Sequence, residues 1–165
     1  MMTRIALVTG ASRGIGAAVA KRLAREGLHT ILAARGVEAL TAIHDDIVKA
    51  GGNATILPID LTDRNALEAL APALLERFDR LDALVGNAAT LGMLGPIAHT
   101  SPDTFARTMN INLEANFHLI RLLKPLLMRS PAPRAVFVTS GVANRPMAYM
   151  NGYAVSKAAL EMMVK

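Results

Sequence analysis

The sequence predicts an α/β fold in which a doubly wound parallel sheet is covered by helices on both faces. Short β-branched apolar runs alternate with longer segments of helical period, and a glycine-rich turn follows the first apolar run. Strands that are joined by helical crossovers lie parallel to one another. Because the 165 residues contain neither an internal repeat nor a linker-like stretch, we expect a single domain over residues 1–165.

Five strands and five helices are predicted in turn along the chain. The strands cover residues 5–8, 30–34, 55–59, 81–85 and 135–139; the helices cover residues 15–25, 37–50, 63–78 and 102–128, with a last helix around Tyr153. Gly27 and Gly51 follow the first two helices as stop signals, and Thr62 or Asp63 can cap the third. Residues 158–165 continue the last helical pattern without a stop signal or a return strand. We therefore expect that the sequence lacks a C-terminal part, unless that part is supplied in another way.

Composition and charge exclude several classes of protein. Hydrophobic residues make up 52% and charged residues 19%, which excludes intrinsic disorder. The absence of cysteine excludes disulfides and thiolate metal sites, and the four histidines lack the spacing of metal ligands, so no metal site is predicted. No apolar stretch is long enough to cross a bilayer, so we expect no membrane association and a cytoplasmic location. The net charge is +5, but with 4% aromatic residues and scattered basic ones it favours a small anionic ligand over nucleic acid.

The glycine-rich turn joins the first predicted strand to the first predicted helix. Gly10, Gly14 and Gly16 have the spacing Gly-x-x-x-Gly-x-Gly. Glycines there permit positive φ and leave room for a pyrophosphate, whose charge the N–H groups at the helix start attract. The turn is therefore interpreted as the phosphate-binding loop of a Rossmann-like fold. The alternative is a tight turn that binds nothing.

Together these features resemble the short-chain dehydrogenase/reductase family over essentially the whole chain. Residues 9–16 resemble its cofactor loop, and Tyr153-x-x-x-Lys157 resembles its Tyr-x-x-x-Lys element. An asparagine after the fourth strand and a serine after the fifth stand in the expected order. Two features depart from the family: residues 86–89 read Gly-Asn-Ala-Ala instead of Asn-Asn-Ala-Gly, and nothing matches the later strands and substrate-covering loop.

The residues after the second strand predict a preference for NADP(H) over NAD(H). An acidic residue there would bind the ribose 2′-hydroxyl, but the chain has Ala34 and Arg35. Arg13 adds a second cation, and guanidinium groups suit phosphate oxygens; alternatively, both arginines are solvated surface residues. The resemblance implies cofactor contacts from Gly10, Ser12, Arg13, Gly14, Ile15, Gly16, Arg35, Asp60, Leu61, Asn87, Ala88, Tyr153 and Lys157. By itself, Asp60 would be a turn or helix-cap residue.

The candidate catalytic residues are Asn112, Ser140, Tyr153 and Lys157. Tyr153 and Lys157 share one helix face, and an ammonium beside a phenol favours the phenolate and lowers the pKa of the phenol. The resemblance implies that Tyr153 exchanges a proton, Lys157 binds the nicotinamide ribose and Ser140 holds the substrate oxygen. It also implies that Asn112 bends the long helix and holds a proton-relay water. Alone, each would be a polar surface, helix or turn residue.

The function implied by the resemblance is an NADP(H)-dependent oxidoreductase that transfers a hydride between nicotinamide and a carbonyl or secondary alcohol carbon. Two alternatives stay open, namely a nucleotide-binding regulatory or scaffold protein of the same fold and an inactive fragment of such a reductase. A full-length protein would be a homodimer or homotetramer, since relatives often pair through the helices that carry Asn112 and Tyr153. Met147 and Met150 are interpreted as core or subunit-contact residues, although they are near enough to Tyr153 to line an apolar pocket.

Overall fold

The computed structural model describes residues 3–165 and contains one parallel five-stranded sheet. Its strands are β1 (Ile5–Thr9), β2 (His29–Ala34), β3 (Asn53–Pro58), β4 (Ala83–Gly86) and β5 (Arg134–Phe137). Its α-helices are α1 (Gly14–Arg25), α2 (Val37–Lys49), α3 (Arg64–Arg77), α4 (Pro102–Met109), α5 (Ala115–Leu127) and α6 (Asn151–Val164). The strand order is β3-β2-β1-β4-β5, which confirms the predicted doubly wound sheet. No helix within residues 3–165 is long and apolar enough to cross a membrane.

The central strand β1 is apolar on both sides because helices cover both faces of the sheet. Leu7 and Val8 are completely buried and, as neighbours in a strand, point to opposite faces. Leu7 belongs to the cluster that includes the buried leucines of α3 and α5. Val8 belongs to a second cluster with the buried residues of α1 and α2. The continuous apolar run that identifies β1 in the sequence is therefore the result of two-sided burial.

The helix predicted over residues 102–128 is interrupted in the structure. A π-helical turn, Asn110–Glu114, separates α4 from α5. From the first turn of α5 the side-chain amide of Asn116 donates to the main-chain oxygen of Asn112 at 2.9 Å, so a side chain supplies a hydrogen bond to the widened backbone. The other predicted elements are found within about two residues of their expected ends, and Asp63 caps α3 by accepting from the backbone N–H groups of residues 65 and 66.

Asp82 is a buried carboxylate at the amino end of the sheet, and its role was not predicted. It is 6% exposed and accepts hydrogen bonds from Ile5 N at 2.8 Å and Ser130 Oγ at 2.6 Å, while Arg80 Nε lies 3.0 Å from its Oδ1. Burial alone would raise the pKa of Asp82, but the bonds from Ser130, Ile5 and Arg80 together hold it below its ordinary value. One carboxylate therefore connects β1, the start of β4 and the segment after α5.

Replacing Asp82 with asparagine removes this charge at nearly constant volume. We expect the free energy of unfolding at neutral pH to fall by about 1–3 kcal/mol, because bonds to a charged acceptor are weakened or lost. Since the folded-state pKa lies below 3.8, the contribution of Asp82 is present above that pH and disappears as the pH falls through the folded-state pKa. Urea unfolding of the wild type and of Asp82→Asn should therefore converge in acid. Asp79→Asn is the control, because Asp79 is 77% exposed and its loss should change little at any pH.

Candidate active site

The glycine-rich loop lies between β1 and α1, at the carboxyl edge of the sheet. Gly10 and Gly14 have φ of 64° and 56°, the left-handed region that glycine adopts without strain. Gly16 has a different role, because a Cβ there would overlap the main-chain oxygen of Gly10 and the side-chain amide of Asn87. The loop therefore requires glycine for conformation at two positions and for close approach at a third.

Thr9 and Asn87 join this loop to the end of β4. Thr9 Oγ1 donates to Val85 O at 3.2 Å and accepts from the backbone N–H groups of Asn87 and Ala88 at 2.9 and 3.1 Å. Asn87 Nδ2 donates in return to the main-chain oxygens of Thr9 and Gly10, at 3.0 and 3.3 Å. Thr9 was not predicted as a site residue, although its hydroxyl at the end of an apolar, completely buried strand is a detectable signal.

The departure from the family pattern at residue 86 has a steric explanation. A Cβ on Gly86 would overlap the ring of Phe137 on the neighbouring strand β5 and approach Asn116 Oδ1 at 2.5 Å. In this chain the space of an asparagine side chain is therefore filled by a phenylalanine ring. The backbone of Gly86 still pairs with β5, because Val138 N donates to Gly86 O at 2.9 Å.

The start of α1 can accommodate an anionic group. Arg13 precedes the helix with extended backbone, and no side chain caps the helix, which leaves its first N–H groups for another acceptor. A Cβ on Gly14 would meet no atom within 4 Å, and the side chain of Ile15 is 61% exposed, so the loop opens to solvent. Arg13 and Arg35 are exposed and form no ion pair within residues 3–165. The positive charges of Arg13 and Arg35 and the open space beside the loop therefore suit a phosphate group.

The other predicted cofactor contacts lie at the same edge of the sheet. Ser12 is half-buried within the glycine loop, and Leu61 is half-buried against the core. Asp60 accepts from Thr62 N at 2.9 Å and Thr62 Oγ1 at 2.8 Å, the hydrogen bonding of a turn residue, and its contact with a cofactor stays a prediction. The backbone hydrogen bond from Thr62 is the main cause that lowers the pKa of Asp60; burial opposes it, and the charge of Arg35 adds to it.

Lys157 is the largest of the fully buried side chains. It is 2% exposed, and its Nζ donates to the main-chain oxygen of Val138 at 2.6 Å, directly after β5. Burial lowers the pKa of the lysine, and no carboxylate pairs with it in the described part of the chain. Its Nζ lies 5.9 Å from the ring centre of the half-buried Tyr153. A buried amine with one partner beside a phenol is a costly arrangement that needs a reason outside stability.

Asn112 and Ser140 lie on segments that pack against α6 from two sides. Asn112 is completely buried in the π-helical turn; its Oδ1 accepts from Thr90 N at 2.8 Å, and its Nδ2 donates to Thr90 O and to Ser156 Oγ, each at 2.9 Å. Ser156 Oγ in turn donates to the main-chain oxygen of Tyr153 at 2.8 Å. Ser140 is half-buried after β5, where its hydroxyl accepts from Val142 N at 3.5 Å.

Asn112 thereby connects the loop after β4 to the helix that carries Tyr153 and Lys157. Both of its amide hydrogens are used by protein groups. Sequence reasoning missed its partners Thr90 and Ser156, although Ser156 lies inside the Tyr-x-x-x-Lys segment. A hydroxyl one position before a buried lysine was the available signal.

The methionines before α6 and the histidines lie outside these contacts. Met147 is 59% exposed in an open loop, so it does not lie in the core; its alternative interpretations, a subunit contact or a residue that lines an apolar pocket, stay predictions. His29 contacts Thr55 Oγ1 at 2.8 Å, as expected of a structural histidine. Residues 3–165 contain no group of three His, Asp or Glu side chains placed to hold a metal ion.

Known proteins are similar to this chain in sequence. A fatty acyl-CoA reductase of Acinetobacter baylyi is 35% identical over 161 residues, which are 96% of this chain and 54% of that protein. The uncharacterized oxidoreductase YciK of Escherichia coli is 35% identical over 165 residues, 98% of this chain and 66% of that protein. The chain thus spans between half and two thirds of the length of these two relatives.

Solved structures of other proteins resemble this chain more closely in their backbone than in their sequence. A short chain dehydrogenase of Shigella flexneri in complex with NADP superposes with a TM-score of 0.93 at 36% identity, over 97% of this chain and 68% of that one. One from Escherichia coli in complex with NADPH gives 0.92 at 36% identity, over 97% and 68%. The family model described as short chain dehydrogenase matches residues 4–165, and the chain therefore belongs to the short-chain dehydrogenase family.

Proposed function

We propose that this protein is an NADP(H)-dependent oxidoreductase that transfers a hydride between nicotinamide and a carbonyl or secondary alcohol carbon. The observation that carries the proposal is the buried amine of Lys157, 5.9 Å from the ring of Tyr153 at the carboxyl edge of the sheet. Ligands of open parallel sheets bind at this edge. Two related structures hold NADP or NADPH, and one relative is named as a reductase of fatty acyl-CoA.

The dinucleotide would be held by the glycine loop and the residues that surround it. The start of α1 would bind the pyrophosphate, and Arg13 and Arg35 would bind the 2′-phosphate of the adenosine ribose. Asp60, Leu61, Asn87 and Ala88 would border the rest of the nucleoside. The bound cofactor supplies or accepts the hydride.

Tyr153 acts in this proposal as the general acid and base for the substrate oxygen. Lys157 favours the phenolate form, and because the amine is shielded from water, its charge is poorly screened. An ammonium has three donors, of which Val138 O takes one, so two remain for ribose hydroxyls. The side chain of Lys157 then controls both the position of the cofactor and the acidity of Tyr153.

Ser140 and Asn112 complete the set with different roles. The hydroxyl of Ser140 holds the substrate oxygen. We assign Asn112 as a positioning residue, because both its amide hydrogens bind Thr90 and Ser156. The homodimer or homotetramer stays a prediction; the apolar surface it would use is the groove between the π-helical turn, α5 and α6, where Phe117 is 49% and Met162 75% exposed.

Cofactor preference tests the two exposed arginines. We expect the wild type to bind NADPH more tightly than NADH, and Arg35→Asp to lose about 10- to 100-fold in NADPH affinity and reverse the order, because a carboxylate repels the 2′-phosphate. Calorimetric titration with both cofactors measures this. Arg25→Asp, at the far end of α1, is the control and should keep the wild-type preference. Equal or tighter binding of NADH by the wild type would refute the assignment.

Removal of the phenol hydroxyl tests the proton transfer. Tyr153→Phe should lower kcat by about 10²- to 10⁴-fold or more, because general acid–base help is lost, with NADPH affinity nearly unchanged. Steady-state kinetics with saturating NADPH, together with calorimetry, separates the two effects. NADPH binding by a wild type that reduces no carbonyl compound would instead favour the scaffold alternative.

Lys157→Met removes the buried amine and keeps a chain of similar length. We expect turnover to be lost and NADPH affinity to fall, while Tm stays within about 3 °C of the wild type or rises, because the cost of burying a charge is gone. The pKa of Lys157 in the folded state lies below its unfolded value of 10.5. Burial of the charge therefore costs its full free energy at any pH below the folded-state pKa, and this cost falls as the pH rises from the folded-state pKa towards 10.5. Any stability advantage of the variant should therefore shrink in alkali. Wild-type turnover in the variant contradicts the proposal.

A further inference from the structure

Two loops beside the candidate site expose large apolar side chains. They lie in the segment after β4 and in the segment before α6. We define the apolar rim by its members, which are 42–60% exposed: Leu91, Met93, Leu94, Met147 and Tyr149. Exposed apolar side chains that occur singly need no explanation, but a concentration of them on two adjoining loops does.

The two loops are held side by side by hydrogen bonds. Gly95 N donates to the main-chain oxygen of Tyr149 at 3.1 Å, and Asn151 Nδ2 donates to Gly95 O at 2.6 Å. Tyr149 has a φ of 68°, a conformation that residues other than glycine rarely adopt, and its ring is 60% exposed. Packing in the interior therefore does not explain why the backbone at Tyr149 holds this ring outward.

Both loops continue directly into the candidate active site. Thr90, one residue before the rim, exchanges two hydrogen bonds with Asn112, which also binds Ser156 next to Lys157. At the other end, Tyr149 lies two residues before α6, in whose first turn Tyr153 stands. A molecule that places its oxygen at Tyr153 has its remaining atoms within reach of these loops.

The same two segments are nearly free of charge. Residues 87–100 and 140–152 contain one Asp, Glu, Lys or Arg in total, Arg145, although charged residues make up 19% of the chain. A charged substrate tail would lose hydration against this surface and gain one partner at most. Two of the five rim side chains are methionines, which adapt their shape to different apolar ligands.

We infer that the apolar rim binds the non-reacting part of the substrate and that this part is an uncharged aliphatic chain. The inference rests on the proposed function for the position of the reacting oxygen. It selects aliphatic aldehydes and ketones as substrates for reduction, and aliphatic secondary alcohols as substrates for the reverse oxidation by NADP⁺. Specificity then arises from apolar area removed from water, with no ionic contact to the tail.

A series of 2-alkanones from 2-butanone to 2-octanone tests the inference. With saturating NADPH, kcat/KM should rise roughly two- to fourfold per added methylene, the effect of burying that group in part or in full. The charged ketone 4-oxopentanoate should be a poorer substrate than 2-pentanone. Equal values across the series, or a preference for 4-oxopentanoate, overturn the inference and leave the proposed reaction intact.

Variants of the apolar rim test whether the gain in kcat/KM per methylene arises from these side chains. The double variant Met93→Ser/Met147→Ser should lower the gain per methylene to less than about 1.5-fold. Met128→Ser is the control, because Met128 is 68% exposed at the end of α5, at the opposite edge of the sheet. An unchanged gain in the double variant, with a change of oligomeric state in sedimentation, would make the rim an interface between copies and overturn the inference.

A binding measurement separates this inference from the proposed function. In the presence of NADP⁺, which cannot reduce ketones, calorimetry should detect 2-octanone binding that is weakened severalfold in the double variant and unchanged in Met128→Ser. If no ketone is turned over but this binding is found, the proposed reaction fails and the apolar site stands. If 2-octanone does not bind, the inference fails whatever the activity.

Discussion

The close approach of the glycine loop to the end of β4 is the constraint on which the rest of the site depends. A Cβ on Gly16 would overlap Gly10 and Asn87, and Asn87 bonds back to the oxygens of Thr9 and Gly10. Because β5 pairs with β4, and Lys157 is held by the oxygen that follows β5, the amine takes its position from the same contact. The proposed cofactor loop and the proposed reacting groups are thus connected along one edge of the sheet.

Buried polar groups in this protein differ in what their burial achieves. Asp82 has three hydrogen-bond partners at the amino edge, far from any candidate chemistry, and its burial serves stability. Asn112 is equally satisfied and holds two segments of the site together. Lys157 has a single partner and no counter-charge in the described residues, and its burial costs stability. The structural carboxylate and the buried groups of the candidate site therefore lie at opposite edges of the sheet.

Local signals in the sequence were sufficient for the sheet, its helices and the glycine loop. Apolar runs identify strands buried on both faces, and the cap at Asp63 depends only on neighbouring residues. The hydrogen bonds from Thr9 to Val85 and from Ile5 to Asp82 were not predictable, because each joins residues more than 70 positions apart in the chain. The π-helical turn interrupts the long helix at Asn112, where the resemblance implies a bend, but the contacts of Asn112 with other segments were not predictable from neighbouring residues. Burial of Met147 could not be judged from the sequence either, because methionine occurs in cores and in open loops alike.

The π-helical turn also sets the rotational phase of everything that follows it. Each residue of an α-helix advances by about 100° around the axis, so the extra residue of a wider turn rotates all later side chains by about that angle. Leu119 and Leu123 lie in the core downstream of this turn. A regular α-helix made of the same residues would rotate the apolar stripe of α5 by about 100° relative to α4. The irregularity at the site and the packing of α5 on the core therefore depend on each other.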